Sequence, residues 1–359
     1  MSQAIRLYIP GPINVSADTL NAMQAPMIGH RSKDFQNLYA EIQPQLRELF
    51  GTSGQVYLST SSAWGVMEGS IRNLVAKKVL NCGCGAFSDK WLDVSRRCGK
   101  DAEGYLVEWG QPIRAEEIDK RLATGQFDAL TLVHNETSTG VLNPLEEIAA
   151  LKAKYPDVMF IVDSVSGFTT VPLNFDALGI DVLLTGSQKA LAMPPGLALF
   201  TASAAAHARA ETLTDRGYYF DFLEFRANGE KNMTPSTPCI SLIYGLRHQL
   251  AKIFAEGADN RYTRHARLNA LVHDWVRANG FEFFAAEGFR SKALTCVKNN
   301  REIDVAKLNG ILRQEHGLII DGGYGKIKGL TFRISNMGDE TDASMKEVLT
   351  ALDASLAQL

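Results

Sequence analysis

Apolar positions follow two rhythms along this chain. Short runs that are apolar at nearly every position alternate with longer segments whose apolar residues are spaced for helices. The runs are QVYLST (55–60), KVLNCGCGA (78–86), GYLVEW (104–109), ALTLVH (129–134), MFIVDSV (159–165), DVLLTGS (181–187) and LALFTA (197–202). Helices are predicted between them near 63–76, 88–99, 114–124 and 144–155. A strand such as MFIVDSV, apolar on both faces, suits a mostly parallel sheet covered by helices on each side. An earlier segment, 33–50, also reads as a helix. It carries Pro44, which removes a backbone hydrogen bond and predicts a kink or break.

The texture changes after about residue 240. Helices are predicted over 241–257 and from 258 to 279. They are followed by ALTCVK (293–298), a helix near 303–316, LIIDGG (318–323), LTFRIS (330–335) and a final helix near 340–358. The expected organisation is an N-terminal arm over 1–15, a large α/β unit over 16–255 and a smaller α+β unit over 256–359.

Composition narrows the function classes. Lys+Arg total 37 and Asp+Glu 40, a net charge of −3, so the balance offers no footprint for a nucleic-acid polyanion. No apolar run is long enough to span a bilayer, and the start lacks the pattern of an export signal. Five dispersed cysteines (Cys82, Cys84, Cys98, Cys239, Cys296) read as reduced thiols, which points to a cytoplasmic protein. Cys82 and Cys84 lack a second Cys/His pair nearby, so no metal site is expected.

Two residues carry the chemistry. Asp163 ends the apolar run MFIV, where a parallel strand delivers side chains to a ligand crevice. Lys189 follows the next apolar run, before Pro-Pro-Gly. Each alone has an ordinary reading, as a helix cap and as a lysine whose tip reaches solvent. Together they match what pyridoxal phosphate (PLP) requires. A desolvated lysine amine carries the aldehyde as an imine, and an acid keeps the pyridine nitrogen protonated. The turn SSAWGVMEGS after QVYLST offers helix N–H groups to a phosphate. Phe87 is placed to stack on an aromatic ring.

The stretches IPGPINVS, PMIGHRSKDF, LVHNETSTGVLNPL, MFIVDSVSGF, GIDVLLTGSQKALAMPPG, TPSTPCISL and LTFRISNMGD run in order over almost the whole chain. With them the sequence resembles the class V aminotransferases of PLP fold type I, particularly the alanine–glyoxylate, serine–pyruvate and serine–glyoxylate group. The resemblance implies that Lys189 is the Schiff-base lysine and Asp163 the partner of the pyridine nitrogen. Val165 and Phe87 would lie on opposite faces of the ring, with Thr137 near its phenolic oxygen. Gln188 and the Ser62-Ala63-Trp64 turn would serve the phosphate. Arg333 would clamp the substrate carboxylate, and Gly11 would present backbone to the substrate.

The resemblance also implies a homodimer, with Ser236 or Thr237 on the phosphate of the partner's cofactor. Met233, Trp64 and Phe87 depart from the tyrosine, histidine and tryptophan of animal-type alanine–glyoxylate enzymes. The expected reaction is ping-pong transamination from alanine or serine to glyoxylate or pyruvate. Two alternatives stand beside it. One is a 2-aminoethylphosphonate–pyruvate transaminase, with His30 and Arg31 as candidate phosphonate contacts, or another small-amine class V transaminase. The other is a PLP-binding subunit without turnover.

Overall fold

The computed structural model describes residues 5–359, so residues 1–4 of the expected N-terminal arm lie outside it. The chain enters through a short strand, β1 (Arg6–Tyr8). Four strands of the central sheet follow: β2 (Tyr57–Ser59), β3 (Lys78–Gly83), β4 (Asp101–Leu106) and β5 (Ala129–Val133). A small hairpin of β6 (Asn135–Glu136) and β7 (Val141–Leu142) leaves the end of β5. The strands β8 (Met159–Asp163), β9 (Val182–Gly186) and β10 (Ala198–Ala202) complete a seven-stranded sheet of order β2-β10-β9-β8-β5-β3-β4. Neighbours from β9 to β4 are parallel. Only β10 runs against both of its neighbours.

Alternate residues of the sheet feed two separate apolar cores. Phe160 and Val162 of β8 join one, and Met159 and Ile161 the other. Both faces being covered, the sheet strands read as unbroken apolar runs in the sequence. The edge strand β4 differs. It begins at Asp101, three residues before the apolar run that predicted it, and pairs only with β3. Polar residues there face solvent, so hydrophobicity alone misplaces its start.

The expected break at Pro44 does not occur. One helix spans Lys33–Phe50 with Pro44 inside it. Pro44 and Ala40, whose carbonyl loses its donor, are both exposed to water. Phe35, Leu38, Tyr39 and Ile42 before the proline share one core with Leu46, Leu49 and Phe50 after it. Tertiary packing on both sides outweighs the single missing hydrogen bond.

The helix Ile240–Glu256 packs into the sheet core, and Ala258–Ala278 into a different one. They meet at Gly257, whose φ of +85° lies in the left-handed region that favours glycine. The later core is built on an antiparallel sheet of β11 (Glu282–Phe283) and β12 (Leu294–Lys298), completed after β13 (Leu318–Ile320) by β14 (Thr331–Ser335). β13 itself pairs in parallel with β1, so the start of the chain is tied to its last quarter. No helix among the described residues is long and apolar enough to cross a membrane.

Candidate active site

The carboxyl ends of parallel strands lie on one edge of a sheet, and there the turns diverge to leave a crevice. A cleft of about 460 Å³ opens at that edge. Its walls include Ser62, Ala63 and Trp64 from the turn after β2, and Phe87 from the turn after β3. Thr137 follows β5, Asp163 ends β8 with Val165 just beyond, and Gln188 and Lys189 follow β9. Nine residues chosen from the sequence thus converge on one cleft. Met67, Val133 and Asn135 also line it and were not anticipated.

Lys189 is buried, and its amine donates to the carbonyl of Pro10. Burial, with the Arg333 charge nearby, pulls its pKa down to about 7 from 10.5. A fraction of the amine is therefore a free nucleophile at neutral pH. Gly11 packs directly on the lysine stem. A Cβ there would come within 2.8 Å of Lys189 Cδ, and its φ is +136°. Only glycine fits this contact.

Asp163 is the charge that the chain leaves unmatched. Its Oδ1 accepts the Val165 N–H at 2.6 Å, and among the described residues no other group donates to its side chain. It caps no helix. Burial pushes its pKa up to about 7. A protonated heterocyclic nitrogen is the partner this geometry lacks.

The helix Ala63–Leu74 starts at this cleft with Ser62 in the N-cap position. The Ser62 side chain makes no capping hydrogen bond, and while Gly65 N–H donates to Ser62 O at 3.0 Å, the N–H groups of Ala63 and Trp64 and the Ser62 hydroxyl remain available to an anion. Phe87 is only half-buried and belongs to none of the apolar cores. Its backbone is anchored by Glu136, which also accepts from Ser88 N and Oγ and from Ser138 N and Oγ. Thr137 Oγ1 is bonded to Ser166 Oγ.

Arg333 is buried on β14, not a surface strand arginine. Its Nε and Nη2 both lie 2.8 Å from Asp321 Oδ1, and Nη1 donates to Thr137 O at 2.8 Å. One hydrogen on each terminal nitrogen is left without a partner among the described residues. That fork suits a carboxylate. The pairing with Asp321 was not read from the sequence, although the two residues lie only twelve apart.

Ser236 and Thr237 do not enter this cleft. They line a separate small cavity with Thr60 and Tyr219. Arg31 is spent holding that segment, donating to Thr234 O at 2.7 Å and Pro235 O at 2.8 Å. His30 lies 3.4 Å from Thr237 Oγ1. Within this chain neither His30 nor Arg31 lines the cleft.

Known proteins share this fold and much of this sequence. The family model described as Aminotransferase class-V matches residues 18–334. An uncharacterised aminotransferase of Methanocaldococcus jannaschii is 36% identical, over 98% of this chain and 93% of its own. A serine–glyoxylate aminotransferase of Methylorubrum extorquens is 32% identical, over 98% of this chain and 90% of its own. The crystal structure of an alanine–glyoxylate aminotransferase from Nostoc sp. superposes with a TM-score of 0.94 at 29% identity, covering 99% of this chain and 96% of that one. An unmatched buried carboxylate, a depressed lysine and an open helix N-terminus around one cleft are what PLP needs, and this chain belongs to the PLP-dependent class V aminotransferases.

Proposed function

We propose that the protein moves an amino group from alanine or serine to glyoxylate or pyruvate in a ping-pong cycle. The observation that carries this reading is the pair of free N–H groups on Arg333, near the amine of Lys189. A substrate carboxylate gripped there is held by two parallel hydrogen bonds, which fixes its α-carbon relative to Lys189. Relatives named for serine–glyoxylate and alanine–glyoxylate transfer support small donors.

PLP, when bound, supplies an electron-accepting ring that stabilises the charge left at Cα when its proton departs. Lys189 would hold the aldehyde group, and its amine would serve as the general base for the donor's Cα proton. Asp163 would keep the pyridine nitrogen protonated. Val165 and Phe87 would hold the ring between them, and Thr137 would serve its phenolic oxygen. Gln188 and the Ser62-Ala63-Trp64 turn would hold the phosphate, and Gly11 would give backbone access to the substrate. Ser236 or Thr237 of a second copy completes the phosphate site in a homodimer. With a unit boundary near 255, Lys189 and Arg333 come from different units and meet at one substrate.

Lys189→Ala tests this reading. Turnover of alanine and serine with either oxo acid should fall about a thousandfold or more. The hydride-trapped adduct on the Lys189 peptide should disappear. Retained turnover overturns the assignment. The assay should include 2-aminoethylphosphonate with pyruvate, because preferred use of that donor would replace the substrate class while leaving the chemistry intact.

A further inference from the structure

Beside the cleft lies an outer, solvent-open cavity that shares Trp64 and Phe87 with it and adds Glu68, Ala86, Lys90, Val94 and Tyr324. Tyr324 lines the outer cavity and backs onto Phe87, one of the two residues that the cavity and the cleft share. Its ring stacks on Phe87 with centroids 5.2 Å apart and planes 14° from parallel. The Arg333 guanidinium carbon lies 5.5 Å from the Tyr324 ring centre, within cation–π range. One aromatic ring thus touches both the Phe87 wall and the arginine fork.

The backbone beside that ring is tightly constrained. Gly323 and Gly325 flank it with φ of +88° and +59°. A Cβ on Gly323 would meet Thr331 O at 2.7 Å, and one on Gly325 would approach Trp109 at 3.1 Å. Lys326 sits 4.2 Å over Trp109, whose indole N–H donates to Asp89 at 2.9 Å. Yet Tyr324 is 46% exposed, and its hydroxyl has no hydrogen-bond partner among the described residues. The fold therefore has no stake in an aromatic residue here, and the two groups it touches both belong to the site.

We propose that Tyr324 determines donor specificity by closing the carboxylate site off from the outer cavity, so that only amino acids with short side chains fit. The proposal rests on the reading of Arg333 as the carboxylate clamp. A donor held at that fork must send its side chain past the Phe87–Tyr324 pair. With the ring removed, the outer cavity becomes continuous with the cleft and accepts a bulky side chain.

Equilibrium binding of lactate and 3-phenyllactate to the PLP-loaded enzyme tests this without depending on turnover. These acids mimic a small and a bulky donor but lack the reacting amine. Tyr324→Ala should raise the affinity ratio of phenyllactate to lactate by about tenfold or more. Tyr324→Phe, which keeps the ring, should leave the ratio unmoved. Tyr324→Leu gives a second truncation should the alanine variant fold poorly. An unchanged ratio in the truncated enzyme, or an equal shift in the phenylalanine variant, overturns the proposal. Arg333→Gln separates the two readings. It should abolish binding of both acids, and full retention of both would remove the clamp assignment and this proposal's basis with it.

Discussion

Both ends of the central sheet bury aspartates, and the two ends treat them oppositely. At the amino ends, Asp128 before β5 accepts the N–H groups of Ala76, Lys77 and Lys78 at 2.9–3.0 Å and pairs with Arg209. Asp181 before β9 accepts from Phe160 N and Ser203 Oγ, each at 2.8 Å, and pairs with Lys152. At the carboxyl end, Asp163 has one N–H and no cation bonded to it. Desolvating a carboxylate is costly unless charge and hydrogen bonds replace the water. The chain supplies both at one end and withholds them at the other. Unmet demand, more than burial itself, separates the ligand site from the scaffold.

The sharpest way to break this contrast is to remove an aspartate at each end. Asp181→Ala leaves Lys152 without its buried partner and should cost about 3–5 kcal/mol of stability. The enzyme that remains folded should keep its kcat. Denaturant unfolding and steady-state kinetics check this, and a large loss of kcat in the folded fraction would blur the two ends. Asp163→Asn should do the reverse. Turnover should drop about a hundredfold or more, with no loss of Tm in the cofactor-free protein.

The next effect is one of pH. In the cofactor-free protein Asp163 holds its proton up to about 7, against an ordinary value of 3.8. The folded state then binds more protons than the unfolded one, and stability falls as pH rises through that window. Lys189 loses its proton near 7 instead of 10.5, so stability climbs from neutral pH upward. The two together place a minimum near pH 7, with limbs no steeper than about 1.4 kcal/mol per pH unit for each group. Thermal unfolding across pH should show the dip. Lys189→Met should flatten its alkaline limb and Asp163→Asn its acid limb. The smallest effect belongs to Ser62→Ala. Its side chain caps nothing, so stability should change by no more than about 0.5 kcal/mol. PLP retention on dialysis should nevertheless weaken by a few-fold.

Much of this arrangement was legible in the linear chain because a doubly covered sheet writes itself as apolar runs. All seven runs between 55 and 202 overlap strands of the sheet. Helices with weak amphipathic contrast, such as Ala204–Glu211 and Phe222–Gly229, gave no comparable signal and were not anticipated. Asp163 and Lys189 were readable because each interrupts or ends an apolar run. Glu136 was not, since its service to Phe87 and Ser88 spans about fifty positions of sequence. Tyr324 was equally silent. Its meaning depends on Phe87 and Arg333 coming together from distant parts of the chain.

The pairing of β1 with β13 has a consequence for how the enzyme is made. Arg6 leaves the ribosome early but cannot be locked in place until Leu318 has been synthesised. The same leading segment carries Pro10, whose carbonyl receives the Lys189 amine, and Gly11, which packs on its stem. A nascent chain therefore exposes its reactive lysine with that cover unfastened until Leu318 has been added.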